Sequence, residues 1–201
     1  MQTSSPRSAL APSLLPLSAN PPLQAVVLVL AGTAILTIAA KVQVPFYPVP
    51  MTLQTLAVML LAATYGSRLA VATVLAYIGE GLIGFPVFAN TPPQIAGPAY
   101  LVGPTAGFIW GWVVMAAIIG FAADRGDDRS TVKLLIALFI GDIVDFALGL
   151  LWLGAAVPKL GYSAKLLAAG LYPFVLADLL KIVLAALIVP AAWSLFNRRK
   201  T

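Results

Sequence analysis

Runs of about 20 apolar residues recur along the chain, and a run of this length can cross the hydrocarbon core of a bilayer as a helix. Hydrophobic residues make up 61% of the chain and charged residues 9%, whereas soluble domains carry about 25% charged residues. The runs are apolar on all sides and lack the alternation that a transmembrane barrel requires. The sequence therefore predicts an all-α integral membrane protein.

Six transmembrane helices are predicted, all in one domain that covers residues 23–196. The six spans are 23–40, 52–66, 69–84, 104–123, 131–154 and 171–196. Residues 1–22 hold five prolines and predict a flexible tail, and residues 197–201 form a basic tail. The first apolar run has 18 residues, which exceeds the usual apolar region of a signal peptide, so we expect a retained helix rather than a cleaved signal.

The second and third spans are short and lie close together. The segment TYGSR separates them, and its Gly-Ser pair followed by Arg68 predicts a tight turn between two helices. The alternative is one broken or re-entrant segment over residues 52–84.

Loop charges favour two helices and orient the bundle, because cytoplasmic loops are enriched in Lys and Arg. With six spans and both termini in the cytoplasm, the inner side carries Arg7, Arg68, Arg125, Arg129, Lys133, Arg198, Arg199 and Lys200. The outer side then carries Lys41, Lys159 and Lys165, and Lys181 lies within the membrane. Merging the second and third spans would place the DRGDDR loop and the RRK tail in different compartments. The net charge of +5 is thus a topology signal and does not indicate nucleic-acid binding.

Missing residue types exclude several kinds of chemistry. The chain has no cysteine and no histidine, which removes disulfides, thiolate nucleophiles, the commonest general base and the commonest metal ligands. No GxxxxGK[ST] phosphate-binding loop occurs, so the chain does not bind and split ATP by that route. We therefore expect no metal site, no cofactor and no enzymatic activity.

Two ionisable side chains, Asp178 and Lys181, lie within the last predicted span. Three residues separate them along a helix, so they share a face. Inserting a charged residue near a helix centre costs roughly 2.5–3.5 kcal/mol, so we expect the pair to face the bundle interior or a cavity. One interpretation is a binding site for a polar ligand. The other is a self-neutralising pair that only tolerates burial.

Asp142 and Asp145 repeat the same spacing in the fifth span. Asp145 should lie at a depth similar to that of Asp178, where it could pair with Lys181 or line the same cavity. Packing against polar groups of a neighbouring helix is the alternative. Glu80, near the outer end of the third span, is expected to be a surface acid that extends toward the headgroups.

Two loops on the outer side have unusual compositions. Residues 85–107 carry no charge and are rich in Pro, Gly and aromatic residues, which predicts a packed lid; the alternative is an ordered interfacial loop in the aromatic belt. The segment VQVPFYPVPMTLQT holds three prolines. Stiff loops of this kind beside helix N-termini can form the mouth of a pocket.

Four motifs in order, VPFYPVPMTLQT, GLIGFPVFAN, GPTAGFIWGW and PFVLADLLK, resemble the BioY family over about residues 40–185. Members of that family are the biotin-binding S components of energy-coupling-factor (ECF) transporters. The resemblance implies a bundle of six transmembrane helices with a vitamin pocket near the outer face. It also implies biotin as ligand, contact with membrane lipid, and a coupling subunit with two ATPase subunits as partners; a homo-oligomer is a further arrangement.

The resemblance also implies a set of site residues. The D-x-x-K motif maps to Asp178 and Lys181, which would contact the ligand, although Lys181 could meet either its ureido ring or its carboxylate. Asn90 and Gln54 are the expected amide contacts. The residues expected to pack against the bicyclic ring are Tyr47, Phe85, Phe88 and Tyr100. The chain departs from the family pattern at Ala177, where a glycine is common, after PVFA, and on the first helix, where Ile35 and Leu36 interrupt the small residues.

The first hypothesis is therefore capture of biotin for uptake across the cytoplasmic membrane. The same scaffold could bind another small vitamin. A third hypothesis, from a different class, is a membrane enzyme that uses Asp142, Asp145 and Asp178 as acid–base groups, although no nucleophile or metal motif supports it. A fourth is a structural membrane subunit without a ligand.

Overall fold

The computed structural model describes residues 10–14, 20–45, 47–94 and 96–198. Its helices are α1 (Leu10–Leu14), α2 (Pro21–Lys41), α3 (Gln54–Tyr65), α4 (Ser67–Leu82), α5 (Ala106–Asp124), α6 (Thr131–Ala156), α7 (Ala164–Gly170) and α8 (Tyr172–Arg198). Short 3₁₀ helices cover Pro98–Val102 and Asp127–Arg129. A small antiparallel hairpin joins β1 (Gln43–Val44) to β2 (Met51–Thr52), with Gln43 paired to Thr52.

Six of the helices match the six predicted spans within a few residues. Four of them, α2, α5, α6 and α8, are long and apolar enough to cross a membrane, and the chain is a multi-pass membrane protein. The helices α3 and α4 have 12 and 16 residues, so at about 1.5 Å per residue both are shorter than the roughly 30 Å hydrocarbon core.

A sharp turn at Gly66 separates α3 from α4, as the TYGSR segment predicts. Gly66 has φ 77°, a backbone conformation that glycine adopts without the steric cost a Cβ would impose. A Cβ on Gly120 of α5 would lie 2.5 Å from the Ser67 backbone, so α5 passes directly against this turn. Residues 54–82 therefore form two helices joined by a tight turn.

The bundle has two distinct ends. At the hairpin end, α2, α4 and α6 finish while α3, α5 and α8 begin, beside the β1–β2 hairpin. At the turn end lie Gly66 and the 3₁₀ helix Asp127–Arg129. The Ser67 backbone N–H there donates to Asp124 Oδ2 at 3.1 Å, and Trp193 of α8 donates its indole N–H to Asp128.

Two clusters of buried apolar side chains form the core. The larger cluster includes the fully buried residues Leu36, Met59, Tyr77, Met115 and Ile119. The smaller lies at the hairpin end and consists of Val49, Phe108, Leu153, Leu166 and Phe174. Outward-facing positions of the long helices are apolar as well, which is typical of surfaces that do not meet water.

Two short helices lie outside the predicted spans. Helix α1 falls within the segment that the sequence predicts as a tail, and Leu10 is buried in the main core. Gln24 of α2 donates its side-chain N–H to the carbonyl of Pro12 at 2.8 Å. Helix α7 begins after Ser163, whose hydroxyl accepts the Lys165 backbone N–H at 3.3 Å. Residues 1–9, 15–19 and 199–201, including Arg7, Arg199 and Lys200, lie outside the described residues.

Candidate functional site

The acid and the ammonium of α8 form a buried ion pair that faces the bundle interior. Lys181 Nζ lies 2.6 Å from Asp178 Oδ1, and the two side chains are 9% and 5% exposed. Lys181 also donates to the Thr52 carbonyl at 2.9 Å and to Thr55 Oγ1 at 2.7 Å. The three protons of the ammonium therefore all have protein acceptors.

Thr55 links the two charged groups, because its hydroxyl donates to Asp178 Oδ1 at 3.2 Å while it accepts from Lys181. No hydrogen bond from the described residues reaches Asp178 Oδ2. That oxygen of the pair can therefore accept a further hydrogen bond.

A cavity is lined by this pair. Its lining combines the polar residues Thr52, Thr55, Asp145, Asp178 and Lys181 with the apolar and aromatic residues Val49, Pro50, Phe108, Trp112, Phe146 and Phe174. We call this space the inner cavity. A mostly apolar wall with a few polar groups that converge is typical of small-molecule sites.

Two further cavities lie toward the hairpin end from the inner cavity. The middle cavity shares Thr52, Phe108 and Trp112 with the inner one and adds Gln54, Phe88 and Tyr100. The outer cavity shares Pro50, Tyr100 and Thr105 with the middle one and is otherwise lined by Tyr47, Pro48, Asn90, Gln94, Ala99, Gly103 and Pro104. Neighbouring cavities therefore share wall residues all the way from the ion pair to the lid.

Gln54, the first residue of α3, is held in the wall of the middle cavity. It is 2% exposed, and its side-chain N–H donates to the Tyr77 hydroxyl at 2.7 Å. Tyr77 in turn donates to the Val87 carbonyl at 2.9 Å. This buried chain of hydrogen bonds joins α3 and α4 to the lid.

Residues 85–94 and 96–105 supply the cover of the middle cavity, as the composition of this loop predicts. The rings of Phe88 and Tyr100 stack with centroids 4.6 Å apart, and the Tyr100 hydroxyl donates to the Ala89 carbonyl at 2.8 Å. Burial raises the pKa of Tyr100 to about 12, so its hydroxyl stays protonated as a donor at neutral pH. Asn90 Oδ1 accepts from Gln43 of the hairpin at 2.8 Å.

Lys41, at the last position of α2, secures the same lid. Its ammonium donates to the carbonyls of Pro86 at 2.7 Å and Phe88 at 2.8 Å, and also to the carbonyl of Thr91. From the sequence, Lys41 is only one of the outer loop charges. The structure gives it three backbone acceptors.

The eight residues predicted for the site do not all lie in it. Asp178 and Lys181 line the inner cavity, Gln54, Phe88 and Tyr100 the middle one, and Asn90 and Tyr47 the outer one. Tyr47 is 90% exposed, at the rim of the outer cavity. Phe85 is 57% exposed and lines none of these three cavities.

The acids of α6 lie beside the ion pair. Asp145 is 2% exposed and lines the inner cavity, in agreement with the expectation that it shares a cavity with Asp178. Lys181, however, pairs with Asp178 and not with Asp145. Asp142 is also buried, and both α6 acids lie within Coulombic range of Asp178 and Lys181.

Several lining residues were missed in the sequence analysis. They include Thr52, Thr55, Phe108, Trp112 and Phe174. Phe108 and Trp112 belong to GPTAGFIWGW, a motif that carries part of the family resemblance. Their four-residue spacing puts them on one helical face, but nothing in an apolar span marks the inward face in advance.

Comparisons with known proteins agree with this architecture. The model of the BioY family matches residues 9–198. "Biotin transporter BioY" of Thermotoga maritima is 36% identical over 156 residues, covering 78% of this chain and 88% of the relative. "Biotin transporter BioY2" of Lactococcus lactis subsp. cremoris is 32% identical, covering 84% of this chain and 89% of the relative. The relative from Rhizobium etli, also called "Biotin transporter BioY", is 34% identical over 71% of this chain and 77% of its own length.

One solved structure has the same fold. The crystal structure of the S-component for biotin from an ECF-type ABC transporter aligns with a TM-score of 0.76 at 23% identity, covering 88% of this chain and 94% of that chain. At this identity the likeness establishes the fold. The family match over almost the entire length, together with the identity to the Thermotoga protein, establishes that the chain belongs to the BioY family.

Proposed function

We propose that the chain captures biotin at the outer face of the cytoplasmic membrane and is the substrate-binding component of an ECF-type transporter. The observation that carries the proposal is the buried Asp178–Lys181 pair in the wall of the inner cavity, which shares Thr52, Phe108 and Trp112 with the middle cavity. The relatives named as biotin transporters and the fold of the solved S component support it. Membership of a transporter family favours capture over catalysis by Asp142, Asp145 and Asp178.

Biotin has a ureido ring with two N–H donors and one carbonyl acceptor, an apolar bicyclic body, and a carboxylate on a flexible tail. Asp178 Oδ2 would accept a ureido N–H, and Lys181 would exchange its bond to Thr55 or Thr52 for the ureido carbonyl. Two carboxyl groups and one ammonium line the inner cavity, so a ligand carboxylate there would be repelled. The tail would therefore point to the outer cavity, with Asn90 and Tyr47 at its rim.

The apolar middle of the site would hold the bicyclic body. Phe88, Tyr100, Phe108 and Trp112 supply aromatic walls between the inner and outer cavities. Burial of the body against these rings would provide most of the affinity, because the hydrophobic contribution grows with the apolar area removed from water. Gln54 would add a polar contact at this level.

We propose six membrane crossings with both termini in the cytoplasm and the hairpin end outside. Arg68, Arg125, Arg129, Lys133 and Arg198 lie at the turn end, whereas Lys41, Lys159 and Lys165 lie at the hairpin end. This asymmetry supports a cytoplasmic turn end under the positive-inside rule. The short helices α3 and α4 would complete the six, with lipid around the outward apolar faces of α2, α6 and α8.

Energy for transport would be supplied in trans. The sequence holds no phosphate-binding loop of the GxxxxGK[ST] type, so uptake would need a membrane coupling subunit and two ATPase subunits. Gly32 and Ala40 of α2 are buried within this chain, Gly32 against Thr73 of α4. A docking face for such a subunit would therefore use the outward side of α2 rather than these small residues.

A competition experiment tests the ligand assignment. Purified protein in detergent is saturated with radiolabelled biotin and challenged with a hundredfold excess of unlabelled biotin, riboflavin or thiamine. The proposal predicts displacement by biotin alone. Displacement by another vitamin would reassign the scaffold, and no saturable binding of biotin would refute the proposal.

A further inference from the structure

The inner cavity contains a hydrogen-bond donor and an acceptor that the ion pair does not use. Trp112 of α5 and Asp145 of α6 both line this cavity, and both are more than nine-tenths buried. Neither Trp112 Nε1 nor Asp145 Oδ1 has a hydrogen-bond partner among the described residues. Buried polar atoms in native proteins are nearly always paired, so each of these atoms calls for a partner that the chain itself does not supply.

Trp112 is the donor at this depth whose proton is not already engaged. The three protons of Lys181 go to Thr52, Thr55 and Asp178, whereas an indole N–H is a donor only and has no alternative role. Trp112 also lines the middle cavity. A ligand that extends through both cavities would therefore pass its ring.

Close packing fixes the two side chains relative to each other. A Cβ on Gly111 would lie 2.3 Å from Asp145 Oδ1 and 3.3 Å from Asp145 Cα. Glycine at this position lets α5 and α6 approach until the residue before Trp112 touches Asp145. The donor and the acceptor thus come from a rigid contact between helices rather than from a loop.

We infer that Trp112 and Asp145 are specificity-determining residues, with the Trp112 indole N–H donating to the ureido oxygen beside Lys181, since a carbonyl oxygen accepts two hydrogen bonds, and with Asp145 accepting a ureido N–H. The inference rests on the proposed function and extends it to residues outside the D-x-x-K motif. With Asp178 accepting the other ureido N–H, each polar atom of the cyclic urea would then have a protein partner.

Matched pairs of variants test this assignment by equilibrium binding of labelled biotin in detergent. Trp112→Phe removes the indole N–H and keeps an aromatic ring, and Trp110→Phe makes the same change on the same helix at a side chain that is 44% exposed. Asp145→Asn keeps one oxygen acceptor but removes the negative charge that strengthens its hydrogen bond, and Asp142→Asn makes the same change on the same helix at a residue that does not line the cavity. We expect Kd to rise about tenfold for each cavity variant, from the loss of one hydrogen bond in Trp112→Phe and of its charge assistance in Asp145→Asn, and to change less than about twofold for each control.

A ligand analogue and an NMR signal keep the test decisive if Asp145→Asn does not fold. Replacing the ureido oxygen by sulfur weakens the acceptor, so the wild type should prefer biotin over this analogue more strongly than Trp112→Phe does. In ¹⁵N-labelled protein, the indole resonance lost in Trp112→Phe should move downfield when biotin binds, while that of Trp110 stays in place.

The outcomes separate the inference from the proposed function. If the wild type binds biotin but Trp112→Phe behaves like Trp110→Phe, or Asp145→Asn like Asp142→Asn, the inference is overturned and the proposed function stands. If the wild type binds no biotin, both are wrong.

Discussion

The ammonium of Lys41 lies 2.8 Å from the carbonyl oxygen of Phe88, a residue 47 positions later in the chain. Through this bond and those to Pro86 and Thr91, the end of α2 holds the lid segment that carries Phe88 and Asn90. Any displacement of α2 would therefore be transmitted to the cover of the cavity.

Replacing Lys41 with Met should weaken the lid. The variant removes donors to three carbonyls but keeps the aliphatic stem, so the fold should persist while biotin dissociates faster, by about tenfold. Stopped-flow or filter-binding measurement of the dissociation rate checks this expectation. Lys159→Met, an exposed lysine at the same end, is the control; equal dissociation rates for the two variants would contradict the role of Lys41.

Gly81→Ala should disturb the position of Phe88. A Cβ at residue 81 would lie 2.0 Å from Phe88 Cζ, so the ring must leave its stack on Tyr100, and overpacking of this kind costs about 1–3 kcal/mol. Gly79→Ala, two residues earlier, has nothing within 4 Å of its new Cβ and should be neutral or slightly stabilising. Biotin affinity and the melting temperature of both variants test this contrast. Equal values for both would show that the ring is free to move.

Removing one member of the Asp178–Lys181 pair should destabilise the protein more than removing both. Removing one partner of a buried pair typically costs about 3–5 kcal/mol, because the other charge stays buried without compensation. Asp178→Asn and Lys181→Met should therefore each lower the melting temperature more than the double variant does. Thermal unfolding in detergent measures the three, and a double variant less stable than both single ones would refute this interpretation.

Asp128 at the turn end should make stability depend on pH. Burial raises the pKa of this carboxyl above its ordinary value of 3.8, while the Trp193 hydrogen bond and the nearby Arg129 oppose the shift. The folded protein then binds this proton more tightly than the unfolded chain does, so stability falls as pH rises from 3.8 through the raised pKa.

Asp128→Asn removes this dependence and keeps an oxygen that can accept from Trp193. As pH rises across this window, the melting temperature of the variant should therefore increase relative to that of the wild type. A difference between variant and wild type that is constant with pH would show that Asp128 does not titrate in the folded protein.

The helices were predictable because lipid imposes long apolar runs, and turns such as Gly66 interrupt them with recognisable chemistry. The inward orientation of Asp178 and Lys181 was predictable too, since exposing a charge to the hydrocarbon core is energetically costly. In a uniformly apolar helix the sequence does not mark the face that points inward, so Trp112 and Phe108 were not predicted to line the cavity. Phe85 was expected in the site because aromatic residues of a lid cannot be sorted into inward and outward ones without the backbone. The roles of Lys41 and of α7 depend on tertiary contacts far apart in sequence.

Isothermal titration of purified protein with biotin, for the wild type and for the double variant Asp178→Ala, Lys181→Ala, tests the central claim most directly. The account predicts saturable one-to-one binding by the wild type and none by the double variant, with both proteins monodisperse and folded in detergent. Binding of biotin by the folded double variant with wild-type affinity would contradict it.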